Sequence, residues 1–236
     1  MSVALVGAGP GDPGLITVRG LELLRACDVL VYDRLVAAEL VAEAPASALR
    51  IARDRLEQEE VNALLVAHGR RGRRVVRLKG GDPFLFGRGG EEALALAGAG
   101  VPFEIVPGVS SLTAAPAAAG IPVTHRGSAS AVTAFAAHDV EALDAAALAR
   151  VPGTLVAFMG LARLARLVER LVTAGKPAST PSAVVAAATT DRQRVVSAPL
   201  GALPAAARGL PTPALVVIGE VASFRAELGA MRRSAA

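Results

Sequence analysis

Residues 77–94 read RLKGGDPFLFGRGGEEAL, and the fold turns on how this stretch is read. It continues the valines of RRVVRLK (73–79) in the manner of a buried strand and ends in Gly-Gly-Glu-Glu before an alanine- and leucine-rich run of helical spacing. Within these eighteen residues stand five glycines, a proline, two arginines and three carboxylates. Glycine is costly in backbone entropy unless a turn or a close approach needs it. A strand that enters a helix through such a turn is the repeating unit of a parallel α/β sheet, and a turn this rich in glycine implies that something binds there.

The same grammar extends outward. Residues 2–9, 28–33, 49–52, 73–79 and 102–106 are rich in Val, Leu and Ile and read as buried strands, while 17–26, 57–68 and 89–97 have helical spacing. Past the small-residue segment SSLTAAPAAAG (110–120), strands are expected near 130–136, 154–159, 182–188, 193–197 and 214–219. The strands at 182–188 and 193–197, separated by TTDRQ, predict a hairpin, and LARLARLVERLVTAG (161–175) predicts an amphipathic helix ended by Gly175. The expected fold is therefore α/β in two domains, residues 1–112 with a mostly parallel sheet and 113–236 with a mixed one.

Composition narrows the function classes. The 236 residues are 53% hydrophobic, which excludes disorder. Residues 105–123 carry no formal charge, but Pro107, Gly108, Pro116, Gly120 and Pro122 argue against a membrane-spanning helix. The start MSVALVGAGPGD has no basic leader, so a cytoplasmic protein is expected, without a membrane partner. Cys27 is the only cysteine and reads as a buried thiol, and His68, His125 and His138 are too scattered for a metal site, so no metal is expected. Of 25 basic residues only Lys79 and Lys176 are lysine, and the isoelectric point near 10.1 suggests an acidic partner. Nucleic acid is disfavoured, because one Tyr, no Trp and six Phe leave no evident stacking platform.

Ligands of open α/β sheets sit outside the carboxyl ends of the strands. Here those ends carry GAGPGDPG (7–14), Asp33-Arg34, GGDPFLFGRGGEE (80–92) and PGVSS (107–111). The first is not a dinucleotide fingerprint, since Asp12 stands where a third glycine is needed and Pro10 and Pro13 oppose an immediate helix. The third is not a phosphate-binding Walker loop, since no Gly-Lys-Ser/Thr follows and Asp82 would disfavour phosphate. A carboxylate beside bare backbone suits an amine, a ribose or a cationic centre. Glu92 reads as a helix-start acid favoured by the helix dipole, whereas Arg88 and Glu91, three apart, are expected to face the cleft together.

Taken together, GAGPGDPGLITVRG, VYDRLV, RLKGGDPFLFGRGGEE, PGVSS, GIPVTHRG and FMG closely resemble the uroporphyrinogen-III C-methyltransferases of the tetrapyrrole methylase superfamily, from Val3 to about Leu228. The resemblance implies a homodimer of two-domain subunits that holds S-adenosylmethionine between the domains and methylates two pyrrole carbons of uroporphyrinogen III. The product would be precorrin-2, which feeds siroheme and cobalamin. Carried over by motif, the cofactor would touch Pro10, Gly80, Gly81, Asp82, Leu85, Ser110, Ser111, Met159, Ala188 and the run Thr212, Pro213 and Ala214. Asp33, Arg88, Glu91 and Arg126 would face the tetrapyrrole, with Asp33 the first choice as proton acceptor and Glu91 the second. The arginines would orient and pair with substrate carboxylates.

The chain also departs from the family pattern. Relatives usually carry Gly-Lys before the Gln-Glu-Glu helix where this chain has Ala52-Arg53, and its following loop is shorter. Arginine keeps the charge of that lysine but not its use as a proton donor. Alternatives on the same fold are a sister precorrin C-methyltransferase, a ribosomal RNA methyltransferase, and a cofactor-binding sensor without turnover. The chain is expected to act without a fused dehydrogenase module.

Overall fold

The computed structural model describes residues 2–228, which divide into one compact unit ending at Ser110 and a second beginning at Ser111. In the first unit β1 (Val3–Gly7), β2 (Val29–Tyr32), β3 (Leu49–Ala52), β4 (Val75–Lys79) and β5 (Phe103–Val106) alternate with α1 (Val18–Arg25), α2 (Ala38–Ala42), α3 (Gln58–Arg70) and α4 (Gly89–Gly98). The strands pair in the order β3-β2-β4-β1-β5, all parallel.

Burial follows from that topology. Crossover helices cover both faces of a parallel sheet, so its inner strands need apolar residues at successive positions. Leu5, Val29, Leu30, Val31 and Leu78 are fully buried accordingly. Each such side chain is worth about 1.5–3 kcal/mol over an exposed one. The chain moves from β1 toward one edge and from β4 back toward the other, so the strand order reverses between these two neighbours. That is a switch point, where loops diverge and leave room at the carboxyl ends.

The second unit holds α5 (Ser111–Ala118), β6 (Val132–Ala136), α6 (Ala145–Arg150), β7 (Thr154–Phe158), α7 (Leu164–Thr173), β8 (Pro181–Ala186), β9 (Arg194–Pro199), α8 (Leu203–Ala206), β10 (Ala214–Ile218) and α9 (Phe224–Leu228). Its sheet runs β6-β7-β10-β8-β9, with β6 and β7 parallel and the other pairs antiparallel, and the β8–β9 hairpin forms where TTDRQ requires it. In α7, Leu164, Leu167, Val168 and Leu171 recur at three and four residues and are all buried, while Arg166 and Glu169 pair on the outer face at 2.9 Å. The helix stops before Gly175, whose φ of 103° suits only glycine. SSLTAAPAAAG, read above only as a small-residue segment, forms α5 with Pro116 inside it.

The candidate active site

In the first unit the carboxyl ends of β1, β4 and β5 are joined backbone to backbone. Gly81 N donates to Gly9 O at 2.7 Å and Gly9 N returns the bond at 3.3 Å, linking the turns after β1 and β4. A Cβ on Gly7 would lie 2.4 Å from Gly108 Cα, and one on Gly108 would lie 2.2 Å from Gly81 O. Gly7 and Gly108 are thus spacers that let the turns after β1, β4 and β5 touch. Gly80 differs, because a Cβ there would meet only Leu35 Cβ, at an ordinary 3.4 Å, so packing leaves its bare backbone unexplained.

Asp82 ties the turns together. Its Oδ1 accepts from Phe84 N at 2.8 Å and its Oδ2 from Gly108 N at 3.0 Å. Asp12 does similar local work, accepting from Gly14 N at 2.9 Å over a single 3₁₀ turn at Pro13–Leu15, and α1 opens only at Val18 behind its Thr17 cap. The loop after β1 is therefore built unlike a pyrophosphate cradle, in which a helix must start at once.

Along the turn from β4 to α4, Phe86 and Arg88 adopt left-handed φ values of 52° and 59°. Such backbone costs about 1–3 kcal/mol per non-glycine residue and persists where the side chain is needed. Arg88 holds Glu91 in a fork, Nε to Oε1 at 2.9 Å and Nη2 to Oε2 at 2.7 Å, and both side chains are exposed. The Arg88 hydrogen bond pulls the Glu91 carboxyl below its usual range.

Behind this rim lies a buried ionic cluster that sequence reading missed. Glu92, read above as a helix-start acid, is fully buried, and its Oε1 accepts from Arg77 Nε at 2.9 Å, Lys79 Nζ at 2.9 Å and Gln58 Nε2 at 3.3 Å. Arg77, also fully buried, reaches with Nη2 to Asp33 Oδ1 at 2.5 Å, and Arg53 Nε stands 3.9 Å from the same oxygen. Burial pushes the Lys79 ammonium below its ordinary pKa, with repulsion from Arg77 adding to it. Taking one member from such a cluster strands a buried charge at a cost of about 3–5 kcal/mol.

Asp33 and Glu91 consequently differ. Both oxygens of Glu91 are engaged by one arginine fork, whereas both contacts of Asp33 fall on Oδ1. Among the described residues Asp33 Oδ2 has no hydrogen-bond partner, on a side chain that is 23% exposed.

In the second unit three separated segments meet at one end of the sheet. Phe158 pairs with Leu215, Ala186 pairs with Ala214, and Ala187 N donates to Pro213 O at 2.8 Å, so Met159, Ala187 and Ala188, and Thr212 to Ala214 lie side by side. Met159, expected above to touch the cofactor, is 51% exposed with a φ of 58°, and Ala187 is left-handed too. Pro10, Leu85, Ser110 and Ser111 are half-buried at the turn after β1, the turn after β4 and the start of α5. Arg126 is exposed in a turn closed by His125 and Ala129, where the His125 ring packs on Phe224 at 4.4 Å. A groove of about 510 Å³ lies at the opposite end of β8, among Ser179, Ser182, Ser197, Ser223 and Arg225. Among the described residues no group of His, Cys, Asp and Glu is arranged to hold a metal, and no helix is long and apolar enough to cross a membrane.

Each unit by itself offers features that would suit an adenosyl sulfonium compound. Gly80 offers backbone no neighbour explains, and left-handed turns bring Met159 and Ala187 beside Thr212 to Ala214. Comparison with known proteins points the same way. A family model described as tetrapyrrole (corrin/porphyrin) methylases matches residues 2–204. A siroheme synthase of Chromobacterium violaceum is 47% identical over 244 residues, covering 99% of this chain, and the chain spans only 52% of that protein's length. The uroporphyrin-III C-methyltransferase of Thermus thermophilus, solved in complex with S-adenosylhomocysteine, is 41% identical with a TM-score of 0.83, covering 94% of this chain and 99% of that one. A cobalt precorrin-4 methyltransferase is 32% identical with a TM-score of 0.87, over 94% and 95% of the two chains.

Proposed function

The chain belongs to the tetrapyrrole (corrin/porphyrin) methylases, and from that premise we propose that it methylates two pyrrole carbons of uroporphyrinogen III to give precorrin-2, on the way to siroheme or cobalamin. The methyl donor in this reading is S-adenosylmethionine, which supplies an activated methyl on a sulfonium. No metal takes part. The observation that carries the reading is the singly anchored Asp33, with one oxygen held by Arg77 and the other open, next to the Gly80–Asp82 turn.

We assign the donor's seat to Pro10, Gly80, Gly81, Asp82, Leu85, Ser110, Ser111, Met159, Ala188 and Thr212 to Ala214. The residues have three tasks. Backbone at Gly80 and Gly81 and at the ends of β7 and β8 must fix the donor so that its methyl lies in line with the ring carbon, which is the larger part of such catalysis. Arg88 and Arg126 orient the acceptor through its carboxylates, as planar guanidinium groups do well. Asp33 then takes up the proton that leaves the ring system, through Oδ2. Glu91 is the weaker candidate, since its pairing with Arg88 lowers its affinity for a proton. Arg53, 3.9 Å from Asp33, supports the charge of Asp33 and does no proton work. A cytoplasmic homodimer completes the proposal.

Purified protein, S-adenosylmethionine and anaerobically prepared uroporphyrinogen III are expected to give a dimethylated tetrapyrrole by mass spectrometry and absorption. The likeness to a cobalt precorrin-4 methyltransferase supports one second reading, a sister enzyme acting on a later precorrin. Methylation of such a precursor, with uroporphyrinogen III untouched, would favour it.

A further inference from the structure

At the start of α4 two adjacent glutamates point in opposite directions. Glu91 is half-exposed in the fork of Arg88, and Glu92 is wholly buried against β4. Arg77 and Lys79, two apart on β4, both reach the Oε1 of Glu92, and Gln58 from α3 reaches it too. The other oxygen, Oε2, is buried without a partner among the described residues.

This is an expensive arrangement for a merely structural one. Burying ions costs several kcal/mol each, and apolar residues of similar size at such places are often as stable or more so. An unpartnered Oε2 means that hydrogen-bond capacity goes unused, while the charge and one fixed oxygen are used threefold. The Arg77 guanidinium is planar and spans two carboxylates from two elements: Nε on Glu92, Nη2 on Asp33. Its plane cannot swing toward or away from Asp33 without losing Glu92.

We infer that Glu92 is a positioning residue for Asp33: by clamping Arg77 it fixes which Asp33 oxygen is held and leaves the other open to receive the substrate's proton. The inference rests on the proton-acceptor reading of Asp33 proposed above. Glu92 is wholly buried and works through Arg77; a weaker route runs by Gln58, which bonds Glu92 at 3.3 Å and accepts from Arg53 Nη1 at 3.5 Å.

Two variants test it. Glu92→Gln keeps shape and removes the charge, and Arg77→Lys keeps a buried cation that spans one carboxylate at a time. In each, kcat for methylation of uroporphyrinogen III is expected to fall by about 10- to 100-fold, as a misplacement of about 1 Å does. The affinity for S-adenosylhomocysteine by calorimetry and the KM for the tetrapyrrole are expected to stay within about threefold, the resolution of a uniform-binding loss. The inference is overturned if kcat is kept in a folded variant, or if cofactor affinity and kcat fall in parallel. It is also overturned if neither variant folds, since the cluster is then a stability element. An inactive wild type sinks the functional reading and this inference with it, whereas an active wild type with an unaffected Glu92→Gln variant sinks only the inference.

Discussion

Substituting Gly108 by alanine probes how the turns are joined. Gly108 has no left-handed φ, so alanine suits its backbone and the whole effect is steric. The new Cβ would sit 2.2 Å from Gly81 O, 2.7 Å from Gly7 Cα and 2.9 Å from Gly7 C. All three are backbone atoms, so no side chain can yield. A carbon–oxygen contact relaxes only beyond about 3 Å, so the turn after β5 must retreat by roughly 1 Å, and overpacking of this kind costs about 1–3 kcal/mol. The retreat also pulls Gly108 N off Asp82 Oδ2, now 3.0 Å away, which frees the Gly80–Asp82 turn. Gly98→Ala is the control: nothing lies within 4 Å of its added Cβ, the site is exposed in α4, and alanine there gains about 0.5–1 kcal/mol in helix propensity. In urea unfolding Gly108→Ala is expected to lose about 3 kcal/mol, and in calorimetry to weaken S-adenosylhomocysteine binding by about tenfold or more. Wild-type stability and affinity in that variant would refute the claim that the three turns form one seat.

Other perturbations separate stability from function. Arg88→Gly relieves a left-handed backbone, so chemical denaturation should show unchanged or higher stability, by up to about 1 kcal/mol, while methyl transfer falls at least about tenfold. Met159→Ala, at a half-exposed left-handed position, should shift stability by less than about 1 kcal/mol yet weaken cofactor binding several-fold. Asp28 is held by Arg74 with its carboxyl lowered to about 2. Its folded pKa lies below the unfolded one, so the stabilisation is present above about pH 4 and lost as pH falls through about 2. The pair is partly exposed, so Asp28→Asn should cost less than about 1 kcal/mol at neutral pH and progressively less as pH falls through about 2, as read by Tm.

The sequence made some of this legible and hid the rest for identifiable reasons. Buried parallel strands announce themselves through continuous Val and Leu, and TTDRQ between two β-rich runs forces the β8–β9 hairpin. A chain that leaves strands through glycine-rich turns also marks its own sheet edge. Glu92 was misread because adjacent glutamates at a helix start look alike to a helix dipole, and only the direction each faces tells them apart. One signal was available: Arg77 and Lys79, two apart in an otherwise apolar strand, share one face and need a buried counter-charge, which the next helix must supply. Helix α5 escaped because alanine-rich segments with an internal proline lack an apolar period. Arg53 stands near Asp33 because β2 and β3 pair in parallel with Tyr32 opposite Ala52 and Arg53 N donating to Tyr32 O, a neighbour relation and register that residue types alone do not give.

The position of the sulfur of bound S-adenosylhomocysteine tests the proposed site most directly. A crystal structure with S-adenosylhomocysteine should find the ligand against Gly80, Gly81, Met159, Ala188 and the Thr212 to Ala214 run, with its sulfur turned toward the open oxygen of Asp33. Density in the groove among Ser182, Ser197 and Ser223, or a sulfur turned away from Asp33, would contradict it.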